Sequence, residues 1–282
     1  MNLSRLSLCL VLAATSAVAW QTGQGQGSIK DAKGNMSITG IANARQERKG
    51  NSLSFKAGSA EGHNLIGIWK SQGLRIESPR IDGTANLKEG VGLELSEATM
   101  TGGVKVIAER PSSIVGAKEK QTATITTPSA TLDLGGNKVT TKGSVTIVND
   151  DPAANQKMVA KGTSGVIVLE DVSTRRKAVK SATLEGPVSL DLTGQREEGE
   201  AGKPKRKIPY LVKGRAGRLV FDAVARTITL TGDVFVSSDD PVIGGDVRAT
   251  KAVIELDEAG EVKAIDLSGP GQTTYREKGG GG

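Results

Sequence analysis

His63 is the only histidine of the 282-residue chain, and Cys9 is its only cysteine. A Ser-His-Asp or Cys-His centre would have to be built on His63, whose neighbours Gly62 and Asn64 are typical of a surface loop. A zinc site of the usual kind needs several His and Cys ligands, and the chain does not contain them. The sequence therefore predicts no triad chemistry, no metal site and no cofactor.

Carboxylates are the remaining candidates for chemistry, because a glycoside hydrolase needs only two of them at a suitable separation. The pair Asp239-Asp240 precedes a proline, and so does the segment Asn149-Asp150-Asp151. Turn formation is the simpler interpretation of both segments. No phosphate-binding glycine pattern occurs between a strand and a helix. The chain is therefore not predicted to be an enzyme. A polysaccharide-acting β-helix enzyme is the least favoured of the alternative functions.

The first residues have the pattern of a secretory signal peptide. Arg5 precedes an apolar run from Leu6 to Val18, and Ala17-Val18-Ala19 fits a cleavage site. We expect a signal peptide over residues 1–19, a Gln- and Gly-rich flexible leader over 20–35, and a mature protein that is exported to the periplasm. An uncleaved segment that anchors the chain to the inner membrane is the alternative.

From residue 36 to 275 the chain alternates apolar and polar residues in short runs, separated by Gly, Asn, Asp and Pro. The clearest run is 228–236, where one parity carries Ile, Leu, Gly, Val and Val. Aromatic residues make up only 2% of the chain, which is too few for the stacking platforms of single-strand nucleic-acid binders. The charged residues that give a net charge of +6 are dispersed. The sequence predicts an all-β protein that binds no nucleic acid.

One short pattern recurs along the chain: an apolar residue or Thr, any residue, Gly, any residue, Val, any residue, and a branched aliphatic residue. Its glycines are 41, 43 and 46 residues apart, and degenerate copies flank the array. The four full copies are centred on Gly102, Gly143, Gly186 and Gly232, and the degenerate ones on Gly40 and Gly269. Such glycines permit a bulge or a sharp bend in the middle of a strand. The alternative is that they lie in the turns between strands.

A charged segment over residues 195–207 interrupts this pattern, and it is predicted to be a mobile surface loop. Its basic half could engage lipid phosphates or could simply be solvated. The glycine-rich tail over residues 276–282 is predicted to be disordered.

The repeated units resemble the OstA-like family of lipopolysaccharide-transport proteins, which includes the LptA and LptC types and the N-terminal domain of LptD. The segments that carry the resemblance are 217–222, 228–236, 249–256 and 264–269. The likeness is strongest over 214–269, clear over 122–192 and weaker over 36–110. It implies a folded-over antiparallel β-jellyroll with an open-sided groove, whose apolar interior carries the acyl chains of lipopolysaccharide. It also implies edge-strand pairing with other β-jellyroll components and possible head-to-tail self-association.

The candidates for lining this groove are aliphatic and aromatic side chains on the inward parity of the predicted strands, because an acyl chain needs a dry apolar trough. For each of them, ordinary closed core is the open alternative. They are Val104, Val106, Ile125, Leu132, Leu134, Val145, Ile147, Leu219, Phe221, Ile228, Leu230, Val234, Val236, Ile254 and Leu256. The predicted function is periplasmic binding and transport of lipopolysaccharide or a similar envelope lipid, and the alternative is a non-enzymatic surface or structural β-solenoid.

Overall fold

The structure is a computed structural model that describes residues 19–23, 26–172, 178–198, 206–240, 244–257, 260–269 and 272–274. These residues form eighteen antiparallel β-strands and two single turns of 3-10 helix, at Lys70–Gln72 and Pro152–Ala154. Within them, no helix has the length and apolar character that crossing a membrane requires. The prediction of an all-β, folded-over antiparallel fold is confirmed.

Short strands form the first part of the chain, and long strands form most of the remainder. The short strands are β1 (Ala19–Gly23), β2 (Gln26–Lys30), β3 (Met36–Ile41), β4 (Asn43–Lys49), β5 (Ser52–Gly58), β6 (Leu65–Trp69), β7 (Leu74–Ser78) and β8 (Arg80–Lys88). The strands that follow are β9 (Gly92–Pro111), β10 (Lys120–Asp133), β11 (Lys138–Asp151), β12 (Gln156–Leu169), β13 (Val179–Glu198), β14 (Arg206–Asp222), β15 (Thr227–Ser238), β16 (Gly245–Leu256), β17 (Val262–Ser268) and β18 (Gln272–Thr274).

Each strand from β9 to β16 bends near its middle and belongs to two arms of one folded sheet. Arm A contains β4, β5, β8, one half of each strand from β9 to β16, and β17. Arm B contains β1, β2, β3, β6, β7, the other halves of β9 to β16, and β18. The apolar core lies between the arms, which join along a fold line and face each other across a mouth on the opposite side.

Glycines with left-handed backbone angles mark the fold line. The repeat glycines all have positive φ, between 79° and 93°. The pairing register shifts beside Gly102, Gly143, Gly186 and Gly232, where each strand crosses from one arm to the other. A β-bulge bends a strand and is favoured where glycine tolerates positive φ. These glycines therefore lie at bends within strands and not in the turns between strands.

The repeat unit is a pair of long bent strands. Between Gly102 and Gly143 the chain completes β9, runs through β10 and enters β11. Each long strand contributes one segment to each arm, so the two strands of one period supply four short segments.

The predicted flexible leader over residues 20–35 is wrong where the structure describes it, because β1 and β2 form there and pair with each other. β2 also pairs with β3, and Ile29 is fully buried in the core. The Asp31 carboxylate accepts a hydrogen bond from the Met36 backbone N–H at 2.8 Å, which closes the turn between β2 and β3. Backbone hydrogen bonds between strands and the burial of Ile29 therefore order a segment whose composition is typical of a flexible chain.

The predicted loop over residues 195–207 is wrong at both ends. Residues 195–198 extend β13 and residues 206–207 begin β14, with Glu198 opposite Arg206. The two strands therefore continue to pair into a segment whose charged composition predicts a loop. Residues 199–205, the predicted signal peptide up to residue 18 and the predicted tail over 276–282 lie outside the described residues.

Candidate functional site

The predicted lining residues lie in the interior between the arms. All of them except Leu134 have 8% or less of their surface exposed. Leu134 is half-buried just past the end of β10, where it packs against the edge of the core. The interior side chains form one hydrophobic cluster, which extends from Ile29 in β2 to Val262 in β17.

Strand register brings the predicted residues into rows across the sheet. In arm B, Val106 lies opposite Ile125, which lies opposite Ile147 on its other side. In arm A, one such pair is Leu219 and Leu230. Neighbouring strands at these positions present branched aliphatic side chains to the same face, so the rows line the two inner walls of the folded sheet.

The sequence interpretation missed the interior residues of the first strands, which include the largest side chains. Trp69 is fully buried and Phe55 is 2% exposed. A β-carbon on Gly67 would overlap the ring of Trp69, so the glycine leaves the space that the indole occupies. Alternation of Leu65, Gly67 and Trp69 in β6 is the signal that could have found this wall.

Hydrogen bonds from polar side chains span the mouth between the arms near β2, β3 and the β6–β7 turn. The Asn35 amide donates to the Leu93 carbonyl at 3.1 Å, and the Asp31 carboxylate accepts from the Leu93 N–H at 3.3 Å. The Gln72 amide donates to the Leu95 carbonyl at 3.2 Å. Leu93 and Leu95 belong to arm A, whereas the polar side chains belong to arm B.

The same arrangement continues along the mouth beside the later strands. The Gln121 side-chain oxygen accepts from the Ala178 N–H at 2.9 Å, and the Tyr210 hydroxyl accepts from the Val262 N–H at 3.1 Å. Gln121 and Tyr210 are both buried. Among the described residues no strand pairing joins the arms across the mouth, so side chains bonded to backbone groups hold it together.

Arg110 is the only arginine or lysine among the buried polar and charged residues of the described chain, with 3% of its surface exposed. Its Nε donates to the Glu170 carbonyl across the mouth at 2.8 Å. Its Nη1 donates to the carbonyls of Glu109 at 2.7 Å, Gln72 at 3.3 Å and Gly73 at 3.4 Å. Burial lowers the pKa of Arg110, while the nearby charges of Asp171 and Glu170 oppose that shift.

The cavities formed by the described residues include three around this interior. One of about 540 Å³ lies on the outer face of arm A, where β4, β5, β8 and β9 present mainly charged and hydroxyl side chains. Another of about 540 Å³ lies around the β5–β6 loop at the end of the fold line. The third, of about 570 Å³, lies at the mouth beside the β6–β7 turn, and Trp69, Leu74 and Arg110 contribute to its wall.

Three of the residues considered for catalysis, His63, Asp151 and Asp239, take part in hydrogen bonds with nearby backbone or hydroxyl groups. His63 is exposed in the loop between β5 and β6, where its carbonyl accepts from the Ser59 hydroxyl at 2.7 Å. Asp151 accepts hydrogen bonds from the hydroxyls of Ser112 and Ser113 at 2.7 and 2.6 Å, and Asp239 accepts from the Leu211 N–H at 2.5 Å. No group of three metal-ligating side chains occurs in the part of the chain that the structure describes.

No protein-family model matches the chain, and no curated protein sequence matches it. Among solved structures, the chain is similar to LptH from Pseudomonas aeruginosa, described as the LptA homologous periplasmic component of a conserved lipopolysaccharide transport device. The two are 14% identical, and the match covers 55% of this chain and 95% of that one with a TM-score of 0.35. A match at this level does not establish membership of a family.

Proposed function

We propose that the chain is an exported lipid-binding protein, without catalytic activity, that carries an acylated envelope lipid between the two arms of its folded sheet. Lipopolysaccharide is the first candidate for that lipid, because the repeated strand units resemble those of OstA-like proteins. On this proposal residues 1–19 are removed on export and the mature protein works in the periplasm, with an uncleaved inner-membrane anchor as the alternative.

The observation that carries the proposal is the single continuous apolar cluster between the arms. Arm A contains twelve strands, so at the usual strand spacing the interior is about 50 Å long across the strands. That length exceeds the roughly 30 Å hydrocarbon core of a bilayer. No pairing between the end strands closes the described part of the sheet, and the apolar cluster extends from Ile29 of β2 to Val262 of β17.

An acyl chain requires no directional partner, and branched aliphatic walls can accept it through apolar contacts alone. The side chains that would meet it are already in contact with each other, since nearly all of the predicted lining residues are buried. Lipid loading must therefore separate the arms, and the mouth is where they are joined without strand pairing. Opening there breaks side-chain hydrogen bonds and leaves the β-ladder intact.

Photo-crosslinking tests this proposal at two adjacent residues of β15. Leu230 is fully buried in the interior, whereas Thr229 is half-buried on the opposite face. A photoreactive amino acid at position 230 should crosslink to acylated lipid in the native envelope, and the same amino acid at position 229 should not. Mass spectrometry of the adducts and of copurifying lipid identifies the ligand.

A structural β-solenoid without ligand is the second candidate function, and the closed packing of the interior favours it. The two candidates differ in the outcome of the same experiment. Absence of any lipid adduct at position 230, together with absence of copurifying acylated lipid in folded protein, would contradict lipid carriage and support the structural role.

A further inference from the structure

The cavity at the mouth is bounded by the β6–β7 turn, the end of β9 and the segment that leads into β10, and has a volume of about 570 Å³. Trp69 and Leu74 belong both to its wall and to the hydrophobic core. The cavity therefore lies directly over the apolar interior, which Trp69 and Leu74 cover.

Positive side chains outnumber negative ones around this cavity. The cationic wall residues are Lys70, Arg75, Arg110, Lys118 and Lys120, and the acidic ones are Glu109 and Glu119. Two of the cations are engaged, since Arg75 pairs with Glu77 and Lys120 pairs with Glu109, each at 2.9 Å. The exposed Lys70 and Lys118 form no ion pair with any described residue.

Arg110 places a buried positive charge in the same wall. Its Nε and Nη1 atoms are held by backbone carbonyls, as described above, and no described carboxylate lies within ion-pair distance of the guanidinium. Its Nη2 donates to no described residue. The carbonyls fix the plane of the guanidinium, so the remaining nitrogen is a preoriented donor for an anionic oxygen.

Unsatisfied polar atoms collect in the same corner of the molecule. Of the buried side-chain polar atoms without a hydrogen-bond partner in the described chain, four lie on the β6–β7 turn, beside it, or across the mouth from it. They are Trp69 Nε1, Ser71 Oγ, Gln72 Oε1 and Glu170 Oε2. Trp69 Nε1 and Ser71 Oγ can donate to an anionic oxygen, whereas Gln72 Oε1 and Glu170 Oε2 are acceptors and require a donor such as water.

We propose that this cavity binds the phosphate of a phosphorylated amphiphile, with Arg110, Lys70 and Lys118 facing the phosphate and the acyl chain passing Trp69 and Leu74 into the interior. The inference rests on the proposed function, because it assigns a head-group site to the lipid whose chains the interior would hold. A phosphomonoester is the shared chemistry, and free phosphate is its other possible source.

Binding of three probes to the full mature chain tests the proposal. The probes are lauroyl lysophosphatidic acid, the monoacylglycerol with the same lauroyl chain, and inorganic phosphate. The parent protein should bind the phosphorylated amphiphile at least about tenfold more tightly than the neutral one, because hydrogen bonds to charged groups contribute that much. Inorganic phosphate should bind weakly, since it has no acyl chain to bury.

The variant Lys70→Gln/Lys118→Gln should weaken binding of the phosphorylated amphiphile by about 3- to 10-fold, the range expected for two exposed charges. Its affinity for the monoacylglycerol should not change. The matched control is Lys142→Gln/Lys251→Gln, which removes the same charge at the exposed fold line. That control should bind all three probes like the parent.

Equal affinities of the parent for the phosphorylated and neutral amphiphiles would overturn the head-group site and leave the proposed lipid function intact. Equal affinities for inorganic phosphate and lysophosphatidic acid would overturn it too, because the acyl chain would then contribute nothing. Failure of both amphiphiles to bind would count against the proposed function itself.

Discussion

Gly186 shows how one residue sets the path of a long strand. Its φ is 84°, and a β-carbon there would collide with Thr163 Oγ1 of the neighbouring strand. The Thr163 hydroxyl donates to the Glu185 carbonyl at 2.9 Å, which fixes the threonine in the path of any added side chain. The equivalent contact recurs between Thr250 and Gly269.

Gly186→Ala is therefore expected to lower the free energy of unfolding by about 1–3 kcal/mol, through strained φ and the clash with Thr163. Gly217→Ala is the matched control at the same fold line, because its φ is not left-handed and an added β-carbon would lie 3.5 Å from the nearest atom. It should change stability by less than about 1 kcal/mol. Urea unfolding measures both, and equal losses would contradict the role assigned to Gly186.

Substitutions at positions 229 and 230 test which face of β15 points into the interior. Leu230→Asp places a carboxylate in the apolar interior. It should lower the free energy of unfolding by several kcal/mol, which is the usual cost of an unpaired buried charge. The aspartate of Thr229→Asp faces solvent, so this variant should lower the free energy of unfolding by less than about 1 kcal/mol. Leu230→Thr is the milder inward variant and should fall between them. Unfolding curves of equal midpoint for the two Asp variants would show that the assigned faces are wrong.

The arms are held together at the level of elements by the polar side chains of the mouth. Arg110 ties the β6–β7 turn and the end of β9 to Glu170 beyond the end of β12. Removing the guanidinium takes a donor from the carbonyls of Glu170, Glu109 and Gln72, whereas the Gly73 carbonyl still accepts from the Glu109 N–H. A buried unsatisfied group typically costs about 1–3 kcal/mol.

Arg110→Met is expected to destabilise the fold by about 2–4 kcal/mol and to speed amide hydrogen exchange at both sides of the mouth. Lys120→Met removes a neighbouring exposed cation whose ion pair with Glu109 contributes less than about 1 kcal/mol. It should leave exchange at the mouth unchanged. If exchange is the same in both variants, Arg110 does not hold the arms together.

At the scale of the whole molecule, the folded sheet has two different ends. One end presents β1 and β4, and the other presents β17 and β18. β4 carries Arg45, Glu47, Arg48 and Lys49 and is almost entirely exposed. Charged side chains on an edge strand oppose pairing with another chain, so β4 is protected more strongly than an apolar edge would be.

End-to-end self-association is proposed for this protein, because unpaired backbone groups at both ends can extend the sheet into another molecule. We expect concentration-dependent oligomers of the parent chain in sedimentation velocity. Arg45→Thr/Arg48→Thr should increase their fraction by removing repulsion at β4. Monomers at all concentrations for both proteins would contradict pairing through this edge.

The sequence by itself determined the all-β class, the inward faces of the predicted strands and the positions of the bends, but not β1, β2 or the ends of β13 and β14. Alternation with a period of two is local, so Val106 and Leu230 could be assigned to the interior without knowing their partners. Positive φ is also a local preference, and for this reason the recurring glycines predicted where the strands bend.

Only the tertiary structure decided how the molecule is joined and where a charged ligand could enter. The Gln- and Gly-rich segment became β1 and β2 because β3 offered a free edge and the core accepted Ile29. Arg110 and Glu170 are 60 residues apart and Gln121 and Ala178 are 57 residues apart, and neither pair shares a sequence pattern. A local pattern specifies which way a side chain points, whereas a contact across the mouth depends on the path of the whole chain between its partners.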